Sequence, residues 1–105
     1  MDYIIVKNEG KAHIIRIKLL LAVEVDDYLC KFYMENETPF SCAESLQKVQ
    51  LRLPDFFIRI SRNCVINTLH VKSIDFKRRE VKLSCNTIFS FSVRNTKLLK
   101  QMFSN

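Results

Sequence analysis

Two polar clusters carry side chains suited to gripping or reading a nucleic acid. The first is Ser61-Arg62-Asn63, a knuckle between the apolar runs Phe56 to Ile60 and Cys64 to Ile66, with Arg59 just ahead of it. Arginine presents a rigid planar fork of donors, and an adjacent amide offers both a donor and an acceptor. Held on a stiff β frame, these are the groups that base edges and phosphates require. The second cluster is Ser92-Val93-Arg94-Asn95, followed by Lys97, where a short helix is expected to open. Free amides of a helical first turn attract anions, so Ser92, Arg94, Asn95 and Lys97 are candidates to hold a phosphate while Arg94 faces a groove. On residue types alone, a surface turn with a solvated arginine is the favoured reading of the first cluster, and a solvated helix start competes evenly for the second. Lys77 and Arg79 add positive charge between the two. Asp26, in the tight Asp26-Asp27 loop, is the acidic candidate: carboxylates repel phosphate but accept from cytosine N4.

Other chemistries lack their residues. The four cysteines, Cys30, Cys42, Cys64 and Cys85, are 12, 22 and 21 positions apart, with no Cys-x-x-Cys and no clustered histidines, so neither a metal site nor a cofactor is expected. The apolar neighbours of Cys30, Cys42 and Cys64 fit buried thiols, and all four are expected to be reduced in a cytoplasmic protein. His13 and His70 stand far apart without acidic or cysteine partners at ligand spacing. No Gly-x-Ser-x-Gly elbow and no glycine-rich phosphate loop is present, and no small-molecule substrate is implied. The chain is not expected to be an enzyme. Glu24 is the one carboxylate inside an apolar strand, expected to pair with a buried arginine or a backbone amide.

The elements that position these groups follow from periodicity. Tyr3 to Lys7 and Ala12 to Lys18 read as a hairpin around Asn8-Glu9-Gly10, which holds the single glycine of the chain. Leu19 to Val25 reads as a central strand and Tyr28 to Glu35 as its neighbour. Ser41-Cys42-Ala43-Glu44 has the form of a capping box, and Cys42, Leu46, Val49 and Leu53 fall on one stripe, predicting an amphipathic helix over about 41–53 that Pro54 stops. In the central stretch Phe56, Ile58 and Ile60 alternate with Phe57, Arg59 and Ser61. Short strands are expected at Val71 to Phe76, Val81 to Leu83 and Ile88 to Phe91. A final helix is expected over Lys97 to Phe103, with Leu98, Leu99, Met102 and Phe103 packing inward. The class is mainly β.

Charge separates the halves. Residues 1–52 hold 7 basic and 8 acidic side chains, net −1, whereas residues 53–105 hold 10 and 3, net +7. A basic half containing both polar clusters suggests a polyanion-binding face. With 48% hydrophobic residues in 105, the chain is expected to form one compact domain over residues 1–105. The apolar run Ile17 to Val25 is too short to span a bilayer and carries charges, so no membrane partner is expected.

Four blocks carry a family resemblance. Arg59-Ile60-Ser61-Arg62-Asn63-Cys64-Val65-Ile66-Asn67 resembles the Arg-x-His-Arg-Ser-x-x-Val-Asn segment of the LytTR family, the DNA-binding output domain of bacterial response regulators. Lys72-Ser73-Ile74-Asp75 is similar to the family's next strand, Ser92-Val93-Arg94-Asn95 before Leu98-Leu99 to its closing block, and Leu20 to Glu24 with Tyr28 to its Ile-x-Tyr-Ile-Glu strand. Ser61 stands where the family usually has His, Asn63 where it has Ser, Val93 where it often has Arg and Ala22 where it has Tyr. The resemblance covers roughly residues 3–103. It implies an elongated stack of small antiparallel sheets whose loops enter successive major grooves of double-stranded DNA, with Arg62 and Arg94 as readers. It also implies tandem or repeated sites occupied by two copies, and an upstream receiver domain that these 105 residues do not contain. The competing expectation is a β-rich protein-interaction module whose basic face binds an acidic partner.

Overall fold

The computed structural model describes residues 2–104, the side chain of Cys85 excepted. The described residues form three antiparallel sheets in an elongated body of 44 × 25 × 23 Å. Strands β1 (Tyr3–Asn8) and β2 (Lys11–Arg16) make a hairpin. Its two-residue turn holds Glu9 at φ 51° and Gly10 at φ 77°, the pair of positive values that a type I′ connection needs. Strands β3 (Leu20–Asp26), β4 (Leu29–Met34), β5 (Phe40–Cys42), β6 (Phe57–Ser61) and β7 (Cys64–Asn67) form a five-stranded sheet in the order β5-β4-β3-β7-β6. Strands β8 (Val71–Asp75), β9 (Glu80–Leu83) and β10 (Ile88–Ser90) form the third sheet, in the order β10-β9-β8.

The five-stranded sheet is covered on both faces, which explains why its central strands are apolar almost throughout rather than alternating. One face packs Val23, Phe32, Cys30, Cys42 and Val65 against Ile4, Val6 and Ile15 of the hairpin and against Leu46 and Val49. The other packs Leu21, Ala22, Ile60, Cys64 and Ile66 against Val81, Leu83, Phe89, Phe91 and Leu99. Asn67 is the buried polar side chain among the described residues. Its Nδ2 donates to the Leu20 carbonyl at 2.9 Å and its Oδ1 accepts from the Leu69 amide at 2.9 Å, so burial leaves neither end unpaired. Cys30, Cys42 and Cys64 are buried free thiols. Desolvation raises all three, Cys42 to about 11, with Glu44 and Glu24 adding to the effect at Cys42 and Cys64 respectively. The expectation for Cys85 lies outside the described residues.

Several expectations are corrected. The helix predicted over 41–53 is α1 (Leu46–Leu51), and the Ser41–Glu44 capping box does not form. Phe40, Ser41 and Cys42 are instead extended and paired with Phe32, Lys31 and Cys30, because the edge of β4 offers a hydrogen-bonding partner and a place to bury Cys42. Ser45 caps the helix, its Oγ accepting from the Lys48 amide at 3.3 Å, and Glu44 pairs with Arg52, whose Nη1 donates to the Ile5 carbonyl at 2.7 Å. In the central stretch, by contrast, the alternation holds through β6: Phe57 is buried in one core, while Ile60, with Ile58 on its side, is buried in the other. Phe56, ahead of the strand, packs with the core of Phe57, and a register shift between Arg59 and Ser61 places a bulge beside the knuckle. The closing helix α2 spans Thr96–Met102, and only Leu99 of its expected apolar set is fully buried, leaving Leu98, Met102 and Phe103 about two-fifths exposed.

Candidate nucleic-acid interface

The knuckle is a rigid object. Residues Arg62 and Asn63 form the turn between β6 and β7, and the Asn63 amide donates to Ser61 Oγ at 3.3 Å. The Asn63 carbonyl accepts from the Val25 amide at 2.8 Å, which clasps the turn to the end of β3. Arg59 lies beneath it. Its Nη1 donates to the Arg62 carbonyl at 3.1 Å and its Nε to Gln50 Oε1 at 3.1 Å, linking the turn to α1. With two of its donor directions spent on protein, Arg59 braces the knuckle, while the Arg62 and Asn63 side chains remain exposed.

The closing block is fastened to the knuckle strand. The Ser92 amide donates to the Ile60 carbonyl at 2.9 Å, and Asn95 folds back on Ser92 through Nδ2 to Oγ at 2.7 Å and through its amide to the Ser92 carbonyl at 3.0 Å. Asn95 therefore stabilises the 3-10 turn Val93–Asn95 rather than capping α2. Arg62 and Arg94, 32 positions apart in sequence, line one open cleft with Arg59, Ser61, Ser92 and Asn95. Arg94 and Lys97 are exposed.

A third loop reaches the same end. The Phe91 amide, one residue before the closing block, donates to the Arg79 carbonyl at 2.9 Å. Asp75 Oδ1 accepts from the amides of Lys77 and Arg78 at 3.0 and 2.9 Å, and Arg79 takes φ 55°, so the turn is fixed while its basic side chains stay in solvent. Asp26 is exposed on β3, one residue past the Val25 amide that holds the knuckle.

Sequence reasoning missed a neighbour of this cleft. Glu24, expected to meet an arginine or an amide, accepts from the Tyr33 hydroxyl at 3.2 Å through Oε1. Tyr33 is pushed up to about 12, first by burial and then by the Glu24 carboxylate, and its ring meets Phe89 edge-on. Glu24 and Tyr33 line a second cleft together with Ser61, Asn63, Ser90 and Ser92. The signal was present: across the β3–β4 turn Glu24 pairs with Lys31 and Ala22 with Tyr33, which makes Tyr33 a diagonal neighbour of Glu24. His70 is a clasp, with Nε2 against the Lys18 carbonyl at 2.7 Å and Nδ1 against Ser84 Oγ at 3.1 Å.

Small antiparallel sheets here carry arginine- and amide-bearing turns that share one cleft. A family model of the LytTr DNA-binding domain matches residues 10–104, and the chain belongs to the LytTR family. Its fold is similar to a solved structure of the LytTr DNA-binding domain of a protein described as a methyl-accepting/DNA response regulator from Bacillus cereus. That likeness has a TM-score of 0.81 and 18% sequence identity, covering 100% of this chain and 99% of the other. A comparison with curated proteins finds no match. Among the described residues no helix is long and apolar enough to cross a membrane.

Proposed function

We propose that this domain binds double-stranded DNA sequence-specifically, in the cytoplasm, as the output domain of a bacterial transcriptional regulator of two-component type. The observation that carries the reading is the Ser92–Ile60 backbone bond, which joins two turns bearing exposed arginines into one face of a LytTR domain. Arg62 and Arg94 are the readers, since an arginine fork matches the O6 and N7 acceptors of guanine. Lys77, Arg79 and Lys97 neutralise phosphates, and Ser92, Asn63 and Asn95 orient the readers or add backbone contacts. Entry of one copy's loops into successive major grooves is what the likeness to the LytTR family implies. Two copies occupy tandem or repeated sites, and residues 1–105 act as one domain.

The experiment is a competition titration on a selected duplex and a scrambled one across salt. Arg94→Ala is expected to cost about 1–3 kcal/mol on the selected duplex and little on the scrambled one. Lys97→Ala is expected to weaken both alike and lower the salt slope by about one. An equal loss on both duplexes for Arg94→Ala makes it a phosphate clamp and misplaces the reader. Binding to neither duplex at low salt sinks the DNA reading.

A further inference from the structure

The cleft beside the two arginines contains a carboxylate that no basic side chain neutralises. Among the described residues, no lysine, arginine or histidine nitrogen lies within ion-pair distance of Glu24. Lys31, directly across from it in the sheet, sets its ammonium 5.2 Å from the centroid of the Tyr33 ring instead. Tyr33 fixes Oε1, and no protein donor among the described residues reaches Oε2. Glu24 also pairs in register with Cys64, the residue after the knuckle, so the carboxylate is built into the frame that holds Asn63. Ser61 and Ser92 line both the arginine cleft and the Glu24 cleft, so the two are adjacent.

A fixed negative group within a basic face selects by exclusion as well as by bonding. It repels phosphate, and it repels base edges that present acceptors. In the major groove cytosine offers the N4 amino donor alone, thymine offers the O4 acceptor, guanine offers two acceptors, and the adenine N6 donor stands beside the N7 acceptor. Cytosine is thus the edge that suits a carboxylate.

We propose that Glu24, oriented by Tyr33, is a specificity-determining residue that accepts a hydrogen bond from the N4 amino group of a cytosine in the DNA site, next to the bases met by Arg62 and Arg94. This inference rests on the DNA-binding reading above.

The test selects bound sequences from a random duplex pool with the wild-type domain and with Glu24→Gln, Glu24→Asp and Tyr33→Phe, each checked for folding by thermal melting. The wild type is expected to enrich a site with a required cytosine, and replacing that cytosine by thymine is expected to weaken binding about tenfold. Glu24→Gln is expected to lose that preference while gaining affinity for scrambled duplex, because a charge that repels phosphate has gone. Glu24→Asp keeps the charge but withdraws it by one methylene, and Tyr33→Phe frees it; both are expected to weaken the preference at that base alone. If folded Glu24→Gln and Glu24→Asp proteins select the wild-type site with an unchanged cytosine requirement, Glu24 only anchors Tyr33 and the inference fails. If the wild type enriches no site, the DNA reading fails with it.

Discussion

Arg59 shows how the tertiary setting changes the meaning of a residue. By type and position it belonged with the DNA contacts, yet its guanidinium joins the Arg62 carbonyl to Gln50 on α1. Gln50 is uncharged, so Gln50→Ala tests the brace without altering the charge of the face. It is expected to cost about 0.5–1.5 kcal/mol of stability and to lower affinity for a specific duplex a few-fold. The salt slope should stay unchanged, and a titration across salt that shows a reduced slope would count against the brace. Tyr33 offers a second residue-scale check. Its hydroxyl is raised from 10.0 to about 12, so the stability tied to it is present below the ordinary tyrosine range and is lost as pH rises through about 12. Phenolate absorbance in an alkaline titration is expected to show the Tyr33 step near that value in the wild type and absent in Tyr33→Phe.

At the scale of elements, α1 was visible in outline but wrong in its start. Leu46 and Val49 are buried on one stripe as the spacing predicts, and Cys42 reaches the same core cluster from a strand. A capping box is a local preference of order 1 kcal/mol. A strand edge that pairs three residues and buries a thiol outweighs it. The real cap is Ser45, so Ser45→Ala is expected to cost about 1 kcal/mol, whereas Ser41→Ala removes no cap. Urea unfolding of the two variants checks this; equal losses would restore the longer helix.

At the scale of the molecule, the central sheet holds the hairpin and α1 on one face and the three-stranded sheet and α2 on the other. Leu99 is the residue by which α2 is fully anchored, and α2 directly follows the turn that carries Arg94. Leu99→Ala is expected to cost about 2–5 kcal/mol through lost burial and the cavity left behind. It should also loosen Arg94, so specific DNA binding is expected to fall further than the unfolded fraction explains, measured at a temperature where the variant is folded. A loss matching the unfolded fraction alone would separate α2 from the reading face.

The mainly β class, the strands other than β5, the basic second half and the two polar clusters were all legible in the sequence, because period, turn chemistry and charge are local properties of the chain. The run Leu19 to Val25 already read as a central strand for the same reason, and β3 lies there. What only the tertiary structure decided are relations between distant segments. Arg62 and Arg94 share a cleft because the Ser92 amide meets the Ile60 carbonyl, and Arg59 turns inward to Gln50. A hydrogen bond across 32 residues leaves no periodic mark in either segment. The pairing of Glu24 with Tyr33 was within reach of strand register, but the cleft they face exists only once the third sheet packs against the second.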